Sequence, residues 1–171
     1  GSYEIQKEYM DELGKKLGFE QPENWYAVAY SDFESAFIRR FDGSRQRVLE
    51  TFFPNYVFLP WKFKVVENGI WEDKRVRLRY FEWVGEKLGY KKPEDWYAVK
   101  FKDFKNNYGE VLVGQRYGFS TYKFVQDMVP DFKFDLRLFD RVPANYWNDI
   151  ENRKKALEKL RKTLGIEKIE E

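Results

Sequence analysis

Apolar residues fall at helical spacing in three places along the chain. Ile5, Tyr9, Met10, Leu13 and Leu17 share one face of a helix predicted over about residues 3–17, and Gly18 sits where a left-handed cap ends it. Phe81, Val84, Leu88 and Gly89 repeat the pattern, and Leu157, Leu160, Leu164 and Gly165 give it a third time. Between these helices the pattern is aromatic. The runs at 25–28 and 96–99, both Trp-Tyr-Ala-Val, are too short for a helix and are expected to lie extended against a core. Ser31-Asp32-Phe33-Glu34 has the form of a capping box and predicts the start of a second helix, with Asp103 as the matching cap. Ser44 and Ser120 are N-caps for a third helix, over 45–53 and 121–129, which stops before Pro54 and Pro130. The linker that follows alternates aromatics: Tyr56, Phe58, Trp61 and Phe63, then Phe132, Phe134 and Phe139. Short strands are compatible with it. Asn68-Gly69 makes a turn, and Trp71 or Trp147 opens the next long helix. The chain reads as mainly α.

The pattern is internally repeated. Gln21-Pro22-Glu23-Asn24-Trp25-Tyr26 returns as Lys92-Pro93-Glu94-Asp95-Trp96-Tyr97, an offset of 71; farther on, Ser44 pairs with Ser120 and Trp71 with Trp147, an offset of 76. The second copy thus carries five extra residues, between Phe104 and Tyr117. The predicted organisation is a unit over 3–79, a second over 80–155, and a terminal capping helix with an acidic tail over 156–171. Two helical units, each of three helices arranged like a helix-turn-helix with short extended aromatic segments, are expected to be closed by a third copy of the first helix. Gly1-Ser2 reads as a cloning remnant, so the chain is expected to be an excised region of a larger protein.

Composition narrows the chemistry. The chain contains no Cys and no His. Disulfides, thiolate or imidazole metal sites, and nucleophile machinery built on His are therefore excluded. Catalysis would have to rest on carboxylates, Lys, Tyr or a hard metal, and the residues give little support for an enzyme. Pro130-Asp131 with Asp135 is a weak hint of a metal site. No cofactor is expected. No apolar run reaches the roughly 20 residues that span a bilayer, so no membrane partner is expected. The residues fix no location; an intracellular one, nuclear or cytoplasmic, is the favoured expectation. The net charge is +2, but basic residues cluster at 74–79 and 153–155 and acidic ones at 20–23, 94–95 and 167–171.

The order Leu-Gly, Pro-Glu-Asp-Trp-Tyr, Asp-Phe, a Ser-capped helix, Pro60-Trp61-Lys62-Phe63 and a Trp before the next helix resembles an uncharacterised tandem repeat of algal, fungal and large-virus proteins. That resemblance covers nearly the whole chain and bears on fold. A looser one is to the repeats that accompany homing endonucleases, carried by Leu88-Gly89, Pro93, Asp103 to Lys105, Tyr117-Gly118 and residues 119–129. It implies DNA-binding three-helix units.

Residues kept in both copies, Trp25, Trp96, Trp71, Trp147, Tyr26 and Tyr97, are expected to build the core. Residues that differ are the functional candidates. At the start of the third helix Arg45, Gln46 and Arg47 face Thr121, Tyr122 and Lys123. In a helix-turn-helix these positions meet base edges, and Arg and Gln suit guanine and adenine. The competing reading is a solvated helix face. Lys74, Arg75 and Arg79 are candidates for phosphate contact, while Arg77 and Arg153 are expected to pair with Asp73 and Asp149. Trp61 and Trp83, matched by Arg137 and Lys159, are expected at a seam between copies. The expected function is a non-catalytic nucleic-acid-binding module, with duplex DNA favoured over RNA. The alternative is a protein-interaction or scaffolding module with an aromatic docking surface.

Overall fold

The computed structural model describes residues 1–141 and 146–166; the acidic tail at 167–171 lies outside the described residues. The chain is mainly helical, and among the described residues there is no strand. It divides into two units, Gly1–Trp83 and Val84–Glu171. The division falls within a helix.

Unit 1 begins with α1, Ser2–Leu17, which ends at Gly18 with φ 72°. Its buried face, Met10, Leu13 and Gly14, meets Trp25, Val28, Phe33 and Phe37 in the core. A Cβ on Gly14 would lie 3.2 Å from the Trp25 ring, so the absence of a side chain there seats the indole. The Trp-Tyr run is a 3-10 turn, Pro22–Ala27, and not an extended segment. Asn24 explains the difference: its Oδ1 accepts from Glu20 N–H at 3.0 Å and Gln21 N–H at 2.8 Å, winding the entry, while Pro22 supplies a helical φ. Short α2, Ser35–Arg39, starts after Glu34. Ser31–Glu34 is therefore no capping box, because Asp32 turns back to accept from Ala29 N–H at 2.7 Å and closes a turn of its own. Then α3, Arg45–Phe52, begins at Ser44, whose hydroxyl accepts from Arg47 N–H at 3.2 Å. Tyr26 fastens the linker, accepting from Leu59 N–H at 2.8 Å.

The long helix α4, Lys74–Leu88, follows a 3-10 turn, Ile70–Glu72, that contains Trp71. Its residues up to Trp83 close unit 1. Trp61 is 1% exposed, with its ring centroid 6.3 Å from Trp71, 5.4 Å from Tyr80 and 5.7 Å from Trp83.

Unit 2 shows the same local devices. A Cβ on Gly85 would lie 2.9 Å from the Trp96 ring. Asp95 accepts from Lys91 and Lys92 N–H at 2.8 and 3.1 Å, and these donors hold its carboxyl below the usual range. Tyr97 accepts from Asp135 N–H at 2.9 Å. The helix α5, Phe101–Lys105, starts before Asp103, which is not its cap but an in-helix acceptor for Lys100 N–H at 2.8 Å. The segment between Phe104 and Tyr117, which carries the five extra residues, contains a π-helical turn, Leu112–Arg116, packed with buried Leu112 and Val113. Then α6, Thr121–Met128, is capped by Ser120.

The last helix, α7, Ile150–Leu164, is capped by Asp149 at one end and by Gly165 at φ 65° at the other. It forms where periodicity puts it, but none of its residues is buried. Leu157, Leu160 and Leu164 are 66, 53 and 61% exposed. The matching residues of α1 and α4, Met10 with Leu13 and Phe81 with Val84, are core.

Candidate functional site

The candidates at the third-helix start are mostly engaged within their own unit. Arg45 is 1% exposed: its guanidinium donates to the Val28 carbonyl at 3.0 Å and the Val65 carbonyl at 2.7 Å. It lies 4.1 Å over the Phe63 ring and 5.0 Å over that of Tyr30. Tyr30 in turn donates to Glu67. Burial lowers the Arg45 pKa, while Glu67 and Tyr30 oppose that shift; burial and Glu67 together push the Tyr30 hydroxyl up to about 12. Gln46 donates to Glu50 and to the Phe58 carbonyl, and Arg47 pairs with Asp42. Arg45 thus cannot reach a base edge. It is a staple between α3, the turn after Trp25 and the linker. Gln46 and Arg47 hold local contacts at the surface of α3.

In unit 2, Thr121 is 4% exposed and Tyr122 packs edge-on to Phe139 at 5.6 Å. Lys123 is exposed. On α4, Lys74, Arg75 and Arg79 are exposed, with Arg75 paired to Asp73 at 2.9 Å. Asp73 is therefore the partner of Arg75, and not of Arg77. Arg77 is buried and donates to the carbonyls of Trp71 at 2.6 Å and Glu72 at 2.9 Å. The buried guanidinium holds the 3-10 turn that leads into α4. Its counterpart Arg153 is exposed.

A cleft lies beside the start of each third helix. In unit 1 a cleft of about 300 Å³ brings Arg45 and Gln46 to Phe63, Glu67, Asn68 and Asp73, but does not include Lys74, Arg75 or Arg79. In unit 2 a cavity of about 250 Å³ is lined by Lys100, Phe101, Lys102, Thr121, Asp140 and Arg141. Lys100, Lys102 and Arg141 did not emerge from periodicity. Comparison between copies carries the signal, since they stand where copy 1 has Ala29, Ser31 and Val65. Among the described residues no group of three carboxylates is placed to hold a metal, so Asp131 and Asp135 build no such cluster. Asp135 instead pairs with Arg137 at 2.6 Å and Lys159 at 3.8 Å.

An uncovered apolar stripe runs along α7, Ile150, Leu157, Leu160 and Leu164, continued by Ile166. Residues 150–166 hold six basic side chains and two acidic ones. No helix of the described residues is long and apolar enough to cross a membrane. Neither family models, nor curated proteins, nor solved structures give a match to the chain.

Proposed function

We propose that the chain is a non-catalytic protein-interaction module that docks a partner on the apolar face of α7. The observation that carries this reading is the exposure of Leu157, Leu160 and Leu164 on one helix face, in a chain whose other helices of the same pattern bury the first two positions and half-bury the third. Contiguous exposed apolar side chains mark interaction surfaces. The basic residues around the stripe, among them Lys154, Lys155 and Lys162, suit a partner helix that presents leucines flanked by Asp and Glu. They disfavour a second copy of the same face. Arg161 stands at the position of Gly14 and Gly85, where a side chain would collide with a packed Trp, so the face is not built for another Trp-Tyr unit. The docking surface proposed here is aliphatic; Trp25, Trp61 and Trp96 are interior, whereas Trp147, expected in the core, is 44% exposed.

Capture from an extract of the source cells, treated with nuclease, tests the proposal. The wild-type chain should retain a partner that the variant Leu157→Asp, Leu160→Asp, Leu164→Asp loses. Retention by that variant, or loss of the partner on nuclease treatment, would overturn the reading.

Nucleic-acid binding is the second reading, favoured by the exposed basic residues Lys74, Arg75, Arg79 and Lys123. It reduces to contact with phosphates, since Arg45 and Thr121 are withdrawn from base readout. A duplex titrated at about 50 mM salt and above should then show log affinity falling with log salt. No binding at the lowest salt would remove it.

A further inference from the structure

The cavity of unit 2 is lined by the counterparts of Arg45 and of two residues that hold it in unit 1, Tyr30 and Val65. Position by position, Ala29, Tyr30, Ser31, Arg45, Lys64 and Val65 correspond to Lys100, Phe101, Lys102, Thr121, Asp140 and Arg141. Unit 1 sets its cation inside, held by two carbonyls and by the ring of Tyr30, which is itself tied to Glu67. In unit 2 the whole network changes together. Thr121 replaces Arg45, Phe101 replaces Tyr30, and Pro143, outside the described residues, stands where Glu67 would be. Three basic residues appear on the rim instead, against one carboxylate, Asp140. Positive charge has moved from the interior of the slot to its edge.

The slot is left with a donor and a field. The Thr121 hydroxyl is buried and has no hydrogen-bond partner, which disfavours the slot unless an acceptor or donor enters it. Thr121 is also the first residue of the eight-residue α6, so the open amides of a helix start lie beside it. A cation at that place opposes the helix dipole, and unit 1 offsets this with Glu67 and two carbonyls; an anion is favoured by it. Phe119 precedes at φ 64°, a costly conformation for a bulky residue, and its ring packs 5.1 Å from that of Phe101 on the cavity wall.

We propose that the cavity at the amino end of α6 is a binding site for a phosphate group, taken by the Thr121 hydroxyl and first-turn amides and flanked by Lys100, Lys102 and Arg141. At about 250 Å³ the cavity is smaller than a typical drug-sized pocket and suits the phosphate more than the whole molecule that bears it. The proposal stands apart from docking on α7, because it uses a different element.

Titration of the isotopically labelled chain with inorganic phosphate, against chloride at equal ionic strength, reads the site through its amide resonances. Saturable shifts are expected at Thr121 and Tyr122. Thr121→Arg, which restores the arrangement of unit 1, should abolish them. Thr121→Val and the pair Lys100→Ala, Lys102→Ala should each weaken binding about tenfold, and these decide the matter if the Arg variant does not fold. Shifts that never saturate, that spread evenly over exposed Lys and Arg, or that persist in the folded variants would overturn the site. A short duplex that displaces inorganic phosphate would assign the group to a polynucleotide backbone. Tight phosphate binding that a duplex does not disturb would assign it to a small phosphorylated molecule.

Discussion

The helices α4 and α7 carry the same apolar spacing and meet different surroundings. In α4, Tyr80 and Trp83 stand against Trp61 and Trp71, four rings with contacting centroids 5.3 to 6.3 Å apart. The same four seats in unit 2 hold Ala156, Lys159, Arg137 and Trp147. Three of the four rings are gone, and the contact that replaces them is ionic, Asp135 with Arg137 and Lys159. Aromatic burial excludes water and stabilises strongly, whereas a half-exposed ion pair contributes little. One helix is therefore built in, and the other is held by charges at its edge with its leucines outward.

Substitutions can break that comparison. Trp61→Ala should cost about 3–5 kcal/mol in denaturant unfolding, and Arg137→Ala less than about 1 kcal/mol. Equal effects would mean that the two closures are alike after all. The contrast between the two slots is nearly as large. Arg45→Ala removes donors from the Val28 and Val65 carbonyls and should cost about 3 kcal/mol. The matching Thr121→Ala should cost nothing measurable, because its hydroxyl has no partner to lose.

The glycines under the two Trp residues separate the units more finely. A Cβ at Gly85 must move the Trp96 ring, while one at Gly14 sits at 3.2 Å and needs only a small adjustment. Gly85→Ala should destabilise by about 1–2 kcal/mol despite the better helix propensity of Ala, and Gly14→Ala should be near neutral. The smallest effect is electrostatic. Arg137 holds the Asp135 carboxyl at about 2, below its ordinary value of about 3.9. The resulting stabilisation is fully present above about pH 4 and disappears as pH falls toward 2; acid titration of unfolding should show it in the wild type and not in Asp135→Asn.

Much of this architecture is legible in the residues. Gly18, Gly89 and Gly165 end three helices, and Ser44 and Ser120 start two, because a left-handed cap and a side-chain acceptor are local requirements. The 3-10 turns at Trp25 and Trp96 are not legible by periodicity, since six residues are too few to show a period; the Asn24 and Asp95 acceptors were the available sign. Arg45 reads as a surface residue next to a helix cap. Nothing in its neighbours in sequence reveals carbonyls 17 and 20 residues away. Its exchange for Thr121, together with Tyr30 for Phe101 and Glu67 for Pro143, did carry that information. The exposure of α7 is likewise invisible in its spacing, which matches α4. Arg161 in place of Gly85 was the residue that told them apart.

Thermal unfolding of the variant Leu157→Asp, Leu160→Asp, Leu164→Asp tests most directly whether α7 presents a free apolar face. With these leucines exposed, the melting temperature should match that of the wild type to within a few degrees, as for surface substitutions that change stability by less than about 0.5 kcal/mol. Loss of the cooperative transition, as expected for the same change at Met10, Leu13 or Val84, would show that the face is buried and contradict the account.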